Sequence, residues 1–439
     1  MAAERKWFGT DGIRGVVGRA PMTAETALSL GRALTSLLKQ GLKSPRKPKV
    51  VVGQDTRLSG DMLSGAVSAG IMSQGGDVYL AQVLPTPGLA NLAASTRADA
   101  GVVISASHNP FQDNGLKIFD SQGYKLPDEV EARLEAMMED ESLLNSDRPE
   151  KEMVGRAWRV NDAVGRYVVS LKSTFPKSMS LDGVKIVLDC ANGAAYKSAP
   201  AVFEELGAQV FVLGAGPDGL NINKGCGSLH PEVCAKKVLE TGADLGVALD
   251  GDADRAIFID HKGEVVDGDQ IMFLCATHLK SKGLLNQGAI AATVMSNMGL
   301  EIALKSEGIV LHRTMVGDRY VAEKLRRERL NFGGEKSGHL IFLDHATTGD
   351  GTLAALQTLA VMETSGKTLR DLASLISLFP QVLVSVPSKS PVSAASSPKV
   401  AEAVKSAESR LKGLGRVLLR PSGTEPVVRV MVEGEDEAL

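Results

Sequence analysis

The chain has 439 residues, 44% of them hydrophobic and 4% aromatic, and its 49 basic and 52 acidic side chains give a formal net charge of −3. This balance argues against a basic surface for nucleic acids and a cationic helix for membrane surfaces. No signal-peptide core is seen, and no apolar run approaches the ~18 residues of a membrane span. The length predicts three or four domains. The four scattered cysteines are typical of reduced thiols in a cytosolic protein.

The first part of the chain alternates between helices and strands. A glycine-punctuated loop at 8–15 carries Arg14, and a helix predicted over 23–39 begins at a threonine cap. Strands are predicted over 49–52 and 78–83, each followed by a polar turn. This alternation predicts an α/β fold with a mostly parallel sheet that is covered on both faces.

An apolar strand at 102–104 leads into a sharp loop, Ser105-Ala106-Ser107-His108-Asn109-Pro110. A serine delivered into such a loop is a common way to present a nucleophile. An ordinary strand-to-loop junction is the alternative, because Ser and Asn also satisfy backbone groups in turns. Beyond the loop, segments 116–119 and 124–126 are predicted to form a hairpin, and the acidic stretch 128–152 a polar helix and linker.

The pattern of an apolar strand, a small-residue turn and a helix recurs along the chain. Strands predicted at 184–188 and 289–294 both run into such turns, which indicates three related α/β units. A fourth, smaller unit is predicted to contain a strand at 381–386, a loop at 387–398, a helix at 399–411 and strands at 416–419 and 427–432.

An acidic loop, Asp250-Gly251-Asp252-Ala253-Asp254-Arg255, follows the strand predicted at 245–249. Strand ends of this kind are where α/β folds bind ligands. Three aspartates at alternate positions offer hard oxygen ligands, which indicates Mg²⁺ or Ca²⁺ rather than zinc. An EF-hand is excluded, because its glycine and glutamate positions hold Arg255 and His261. Mg²⁺ usually leaves positions open for phosphate, so a phosphoryl group is the expected further ligand, with a solvated acidic turn as the alternative.

Two later loops carry groups that suit a sugar phosphate. Gly333-Gly334-Glu335-Lys336-Ser337-Gly338-His339 combines an acid, a hydroxyl and an imidazole suited to sugar hydroxyls, although such loops are often structural. Arg420-Pro421-Ser422-Gly423-Thr424-Glu425-Pro426 joins two strands, with Arg429 shortly after. Its arginines and hydroxyls suit an anion-binding pocket, with a polar hairpin turn as the alternative.

No nucleotide-binding loop accompanies these stretches. Gly366-Lys367-Thr368 lacks the glycine that a Walker A loop requires, because that position holds Val361. The serine, aspartate, sugar and arginine loops, one in each unit, together indicate phosphoryl transfer on a phosphorylated sugar.

These four loops resemble the active-site loops of the α-D-phosphohexomutase superfamily, in the family's order and spacing over essentially the whole chain. Segments 8–15, 221–228, 316–320 and 347–351 are most similar to the bacterial amino-sugar branch. The resemblance implies three related α/β domains and a smaller C-terminal α+β domain around a central cleft. The implied domains are 1–155 with the serine loop, 156–258 with the metal loop, 259–370 with the sugar loop and 371–439 with the phosphate loop.

The resemblance also implies roles for individual residues. Ser107, which directly precedes His-Asn-Pro, would carry a phosphoryl group, whereas His108 would belong to the loop architecture. Mg²⁺ would be held by a phosphoserine oxygen of Ser107 together with Asp250, Asp252 and Asp254. General acid/base and electrostatic roles would fall to Arg14, Lys117 and His339. The residues implied to bind the substrate are Arg255, Glu335, Ser337, Arg420, Ser422, Gly423, Thr424 and Arg429.

The implied activity is that of a cytoplasmic isomerase that interconverts glucosamine 6-phosphate and glucosamine 1-phosphate for UDP-N-acetylglucosamine and cell-wall synthesis. PhosphoSer107 would phosphorylate O1. The glucosamine 1,6-bisphosphate intermediate would then reorient and return its 6-phosphoryl group to Ser107. Relatives imply a homodimer. The same chemistry on mannose or glucose phosphates is one alternative, because Lys336 stands where the amino-sugar branch usually has Gln. A non-catalytic sugar-phosphate sensor is the other.

Overall fold

The fold contains four β-sheets, which follow one another along the chain. The computed structural model describes residues 6–9, 11–42, 46–140, 142, 145, 148–411, 414–421 and 427–436.

The first sheet has seven strands. They are β1 (Phe8–Gly9), β2 (Gly12–Val16), β3 (Lys49–Gln54), β4 (Asp77–Val83), β5 (Ala100–Ile104), β6 (Asp113–Asp120) and β7 (Ala157–Arg159). The helices of this part are α1 (Ala24–Gly41), α2 (Gly60–Ser73), α3 (Thr86–Ser95) and α4 (Asp128–Glu139). Helix α1 begins at the predicted threonine cap, because the Thr23 hydroxyl accepts a hydrogen bond from the Thr26 backbone N–H at 3.3 Å.

The second and third sheets have five and four strands. The second part contains α5 (Ala163–Ser173), β8 (Lys185–Asp189), α6 (Ser198–Glu205), β9 (Gln209–Leu213), α7 (Pro231–Thr241), β10 (Leu245–Leu249), β11 (Ala256–Asp260) and β12 (Val265–Val266). The third contains α8 (Gly268–Ser281), β13 (Ala289–Thr293), α9 (Met298–Ser306), β14 (Val310–Thr314), α10 (Asp318–Glu328), β15 (Phe332–Gly334), β16 (Leu340–Phe342), α11 (Gly351–Ser365) and α12 (Leu369–Ala373).

One four-strand arrangement recurs in all three sheets. Its spatial order is β6-β5-β3-β4 in the first sheet, β11-β10-β8-β9 in the second and β16-β15-β13-β14 in the third. In each, the first pair is antiparallel and the other two pairs are parallel. The predicted three related α/β units are therefore confirmed.

The antiparallel pair of each repeat explains where the functional loops lie. The serine loop joins β5 to β6, the aspartate loop joins β10 to β11, and the sugar loop joins β15 to β16. Connections this short cannot make the crossover that parallel neighbours require. The α/β fold is therefore built on mixed sheets, in which each four-strand repeat has two parallel pairs and one antiparallel pair, and the three loops occupy one topological position.

The fourth sheet is antiparallel, in the order β17-β19-β18. Its part of the chain contains β17 (Gln381–Pro387), α13 (Pro391–Ala395), α14 (Pro398–Leu411), β18 (Gly415–Pro421) and β19 (Val427–Gly434). The loop predicted at 387–398 thus contains a short helix, which has proline in its first turn, where its missing N–H is tolerated.

Two of the predicted domain boundaries lie close to or within a strand. The boundary at 155 precedes β7, which pairs with β4 in the first sheet, and the boundary at 258 falls inside β11. Strand β11 pairs on both sides within the second sheet. The hairpin predicted at 124–126 is reduced to an isolated bridge between Phe119 and Lys125.

The buried apolar residues bind the first three parts of the chain together. One continuous cluster contains Leu89 from the first part, Phe258 from the second and Phe332 from the third. Among the described residues, the fourth sheet contributes none to that cluster. The fourth part instead meets the third through polar contacts, such as that of the Arg416 guanidinium with the Ser296 carbonyl oxygen at 2.7 Å.

All four cysteines are free thiols and all are buried. Burial raises the pKa of Cys226 to about 11 and that of Cys275 to about 12. Within the described ranges, the helices are too short or too polar to cross a lipid bilayer.

Candidate active site

A cavity of about 770 Å³ lies where the functional loops converge. It takes lining residues from all four parts of the chain. The predicted site residues on its wall are Arg14, Asp254, Arg255, Glu335, His339, Arg420 and Arg429. The cavity is therefore the central cleft that the resemblance implies.

The serine loop presents Ser107 in an unusual backbone conformation. Its φ is +53°, a left-handed value that few residues other than glycine adopt. The side chain is fully buried, and its hydroxyl donates to Asp250 Oδ2 at 2.5 Å. His108 Nδ1 lies 3.3 Å from the same hydroxyl, and burial, assisted by Arg255 and Arg14, lowers the pKa of His108 to about 4. The imidazole beside Ser107 is thus neutral at physiological pH.

The aspartate loop forms a compact buried group of carboxylates. One oxygen from each of Asp250, Asp252 and Asp254 lies within 4.8 Å of the others. Burial and the two neighbouring carboxylates raise the pKa of Asp250 well above its ordinary value. One buried oxygen on Asp252 and one on Asp254 have no hydrogen-bond partner among the described residues. These donors fit a hard divalent cation, which would relieve both the crowding and the missing partners.

Lys117 supplies positive charge beside this group. Its ammonium lies 2.8 Å from Asp252 Oδ2, 3.0 Å from Asp11 Oδ2 and 3.5 Å from Asp254 Oδ2. Burial opposes this charge, but Asp11, Asp252 and Asp254 together raise the pKa of Lys117 above its ordinary value. The side chain is therefore a fixed cation at the carboxylate group.

His339 lies between two acidic residues from different domains. Its Nδ1 is 3.7 Å from Asp254 Oδ2 and its Nε2 is 3.5 Å from Asp318 Oδ2. Burial lowers its pKa, but Asp254 and Asp318 more than offset this and raise it overall. In the neutral ring, Nε2 accepts the Gly349 N–H at 3.1 Å, which leaves the ring proton on Nδ1, facing Asp254.

Two neighbouring side chains of the sugar loop, Glu335 and Lys336, have different surroundings. Glu335 lines the cavity and accepts the Gly317 N–H at 3.2 Å and the Ser337 hydroxyl at 3.4 Å. Lys336 is not among the residues that line the cavity, and its ammonium donates to Gln381 Oε1 in β17 at 2.8 Å. The lysine charge is therefore drawn toward the fourth domain.

The arginine loop presents two like charges side by side. Arg420 and Arg429 are direct partners in the β18–β19 register, and both line the cavity. Burial and the neighbouring Arg429 lower the pKa of Arg420. Like charges opposite one another destabilise a sheet, so an anion between them would be stabilising. The predicted pocket residues Ser422, Gly423 and Thr424 lie outside the described residues.

Unused donors point to the same kind of ligand. Arg14, Arg255 and Arg420 line the cleft, and each has a buried Nε–H without a hydrogen-bond partner in the described part of the chain. Buried charged donors are costly unless they are paired. The cleft is therefore suited to a ligand with more than one anionic group.

Sequence reasoning missed several charged residues around the predicted ones. Asp11 pairs with Arg14, Lys117 and Lys125, and Lys125 also pairs with Asp318. Asp11 and Asp318 occur in the segments 8–15 and 316–320 that carry the resemblance, so their positions offered a signal. Lys125 had none beyond its place after β6.

Two further buried residues hold the serine loop. Arg57 Nη2 donates to the backbone oxygens of Ser107 and Asn109 at 2.8 Å each. Asn223 Nδ2 donates to the same two oxygens at 2.9 and 3.0 Å. Neither residue was singled out from the sequence.

Comparison with known proteins covers nearly the whole chain. Family models for the phosphoglucomutase/phosphomannomutase α/β/α domains I, II and III match residues 5–145, 165–263 and 267–379, and the C-terminal domain model matches 382–439. Curated phosphoglucosamine mutases from Geobacter sp. strain M21 and Myxococcus xanthus are 57% and 56% identical. Each alignment spans 99% of this chain and 94% of the relative.

Solved structures share the fold. A phosphoglucomutase/phosphomannomutase family protein from Burkholderia thailandensis has a TM-score of 0.81 at 24% identity, over 98% of this chain and 93% of its own. Aspergillus fumigatus N-acetylphosphoglucosamine mutase, solved with GlcNAc-6P and magnesium, has a TM-score of 0.68 at 17% identity, over 99% and 93%. The domain models and the 54–57% identical relatives agree, and the chain belongs to the bacterial phosphoglucosamine mutases of the α-D-phosphohexomutase superfamily.

Proposed function

We propose that this chain interconverts glucosamine 6-phosphate and glucosamine 1-phosphate, with Ser107 as the phosphoryl carrier. The observation that carries the proposal is the 2.5 Å contact between the buried Ser107 hydroxyl and Asp250. Their loops reach the cavity through His108, Asp254 and Arg255, and Arg420 and Arg429 line the same cavity. One end therefore suits the reacting phosphoryl group and the other suits the phosphate that stays behind. The family membership supports the amino-sugar substrate.

The proposed reaction has two balanced halves. In the first, O1 of glucosamine 6-phosphate attacks the phosphorus of phosphoSer107 and the P–Oγ bond breaks. The 1-hydroxyl loses its proton to a basic group, and the departing Ser107 Oγ gains a proton. The product, glucosamine 1,6-bisphosphate, then reorients within the cleft so that its 6-phosphoryl group faces Ser107. In the second half, the Ser107 hydroxyl loses its proton as Oγ attacks the 6-phosphorus. The P–O6 bond breaks, and O6 takes a proton as glucosamine 1-phosphate forms.

The residues around the serine have separate proposed tasks. Lys117 stays charged and stabilises negative charge on the transferred group, since phosphoryl transfer depends on positioning and electrostatics. His339 is the candidate for proton transfer, whereas Arg14, whose pKa is lowered by burial but raised overall by Asp11, Asp252 and Asp254, keeps its charge and has an electrostatic role. Glu335 and Ser337 hold sugar hydroxyls, and Arg255, Arg420 and Arg429 hold phosphate. Ser422, Gly423 and Thr424 complete the proposed phosphate pocket.

The carboxylates of Asp250, Asp252 and Asp254 are the proposed Mg²⁺ ligands. Mg²⁺ bound there supplies positive charge to a phosphoryl oxygen. The chain's own contribution is to hold three carboxylates together, with Lys117 beside them, in a buried pocket.

Intact mass spectrometry tests the carrier role. Wild-type protein incubated with glucosamine 1,6-bisphosphate is expected to gain one phosphoryl group, and Ser107→Ala to gain none and lose activity. The exposed Ser121→Ala is the matched control. Full activity of Ser107→Ala would contradict the carrier role of Ser107. A wild-type protein that is never phosphorylated and has no mutase activity would favour a sugar-phosphate sensor.

A thermal-shift titration tests the metal site. Mg²⁺ added to metal-free protein at 100 times its Kd is expected to add about 2.7 kcal/mol of stability. Asp252→Asn is expected to lose most of this shift. An equal shift in the variant would mean that Mg²⁺ binds elsewhere.

The substrate and the setting of the reaction complete the proposal. Steady-state rates with glucosamine, mannose and glucose phosphates test the sugar, and a clear preference for a neutral sugar would contradict the amino-sugar assignment. We also retain a cytoplasmic location, which free, buried thiols favour, and a homodimer, which sedimentation measurements test. The product would then feed UDP-N-acetylglucosamine and cell-wall synthesis.

A further inference from the structure

The turn that carries Ser107 needs support from outside itself. Within the loop, the Ser107 N–H donates to the Ser105 hydroxyl at 2.9 Å and the Asn109 N–H to the Ala106 carbonyl at 3.1 Å. These bonds leave the carbonyl oxygens of Ser107 and Asn109 as open acceptors in a partly buried loop. A residue in the left-handed region persists only when surrounding groups hold it there.

Arg57 satisfies these carbonyls from the first domain. Its side chain is fully buried, and each of its five N–H bonds points at an acceptor. The acceptors are Asp55 Oδ2 at 2.9 Å and the backbone oxygens of Ser107 at 2.8 Å, Asn109 at 2.8 Å, Asp113 at 3.1 Å and Pro110. One guanidinium therefore spans the whole loop from the serine to the start of β6.

Asp55 separates this arginine from the phosphoryl chemistry. Its carboxylate neutralises the guanidinium and also accepts the Ser105 hydroxyl at 2.6 Å. Arg57 is not among the residues that line the cleft. Its contribution is therefore to geometry rather than to charge on the substrate.

Asn223 reaches the same carbonyls from the second domain. Its amide donates to the oxygens of Ser107 and Asn109, the two that Arg57 Nη2 also contacts. Asn223 belongs to the part of the chain that also carries Asp250. A displacement between the two domains would thus strain the turn on both sides.

We propose that Arg57 and Asn223 are positioning residues for phosphoryl transfer, which rests on the proposed carrier role of Ser107. Together they hold the Ser107 turn in one conformation, and they couple it to the domain that supplies Asp250. The serine oxygen must act as leaving group in one half-reaction and as nucleophile in the other, so the same position serves both. A displacement of about 1 Å typically costs about 100-fold in rate.

Arg57→Lys is the first test. Lysine keeps the positive charge beside Asp55, but its single nitrogen cannot span four backbone oxygens. We expect kcat to fall about 100-fold, with KM for glucosamine 6-phosphate within about twofold of wild type. Phosphorylation of Ser107 by glucosamine 1,6-bisphosphate, followed by intact mass, should slow by a similar factor. Arg166→Lys, which alters an exposed ion pair with Asp162, is the matched control.

Asn223→Ala keeps the proposal testable if Arg57→Lys folds poorly. It removes both donors at a residue that is 8% exposed, and we expect it to lower kcat about tenfold with KM unchanged. Because the two residues share their acceptors, the double variant should differ from the product of the single effects.

The outcomes separate the two proposals. Normal kcat and normal Ser107 phosphorylation in well-folded Arg57→Lys and Asn223→Ala would overturn the positioning role. A rise in KM with unchanged kcat would also overturn it, since that pattern reports substrate binding. Failure of the wild-type protein to take up a phosphoryl group would instead refute the carrier role itself.

Discussion

Gly251 belongs to the aspartate loop and lies against the serine loop, and the reaction depends on the relative position of these two loops. A Cβ atom added there would meet the Ser107 carbonyl oxygen at 2.6 Å, and Asn223 Nδ2 at 2.9 Å. The oxygen must move by roughly 0.8 Å before it reaches ordinary contact distances, which begin at 3.4 Å. Arg57 also binds that oxygen, so the serine loop cannot relieve the clash alone. The aspartate loop would also have to move, and Ser107 would shift relative to Asp250.

We therefore expect Gly251→Ala to lower kcat by about 30- to 100-fold, or about 2 to 3 kcal/mol of transition-state stabilisation. KM should change less than kcat, because Glu335, Arg420 and Arg429 lie on other loops and only Arg255 shares the loop of Gly251. Steady-state kinetics with glucosamine 6-phosphate measure both values. Gly165→Ala is the matched control, since its Cβ meets nothing within 4 Å and alanine favours helix α5. A folded Gly251→Ala enzyme with kcat within threefold of wild type would refute the reasoning.

Two other changes probe the site, and a third probes Asp350, the buried carboxylate that caps the start of helix α11. Lys117→Met removes a fixed cation and should lower kcat by about 100- to 1000-fold, and a loss below tenfold in the rate assay would contradict its role. Lys336→Gln removes the ammonium that binds Gln381 and should change kcat/KM about two- to tenfold without altering sugar preference, because Lys336 is not among the residues that line the cavity. A switch of preference in competition assays would contradict this. Burial raises the pKa of Asp350 to about 6, so its native form binds a proton that the unfolded form releases, and stability falls as pH rises. The stability of Asp350→Asn relative to wild type should therefore be about 1 kcal/mol higher at pH 7.5 than at pH 5. Denaturant titrations at both pH values measure this, and an equal difference at the two would contradict the raised pKa.

The functional loops could be predicted because each has a local signal. Apolar runs at 102–104 and 245–249 end abruptly in small polar residues, and those strands occur at Ala100–Ile104 and Leu245–Leu249. Such a local change from apolar to small polar residues can be recognised without knowledge of the distant contacts in the fold. The resemblance to a family then added roles that composition alone does not supply.

The support of those loops could not be predicted in the same way. Arg57 acts on backbone oxygens, which every residue has, so its partners leave no mark on the sequence. The direction of Lys336 depends on Gln381, 45 positions later in the chain. The mixed sheets were missed because local periodicity does not distinguish a parallel neighbour from an antiparallel one.

The burial of the native thiols has a practical consequence for studying motion. With a pKa near 11 or 12, Cys226 and Cys275 hold almost no thiolate at neutral pH, and maleimide reagents would leave them unmodified. A fluorophore pair could therefore be attached to cysteines engineered at Val392 and Val169, which are 71% and 62% exposed, without first removing any natural thiol. Since α13 belongs to the fourth domain and α5 to the second, energy transfer between the dyes would measure the distance between these two domains in single molecules during turnover.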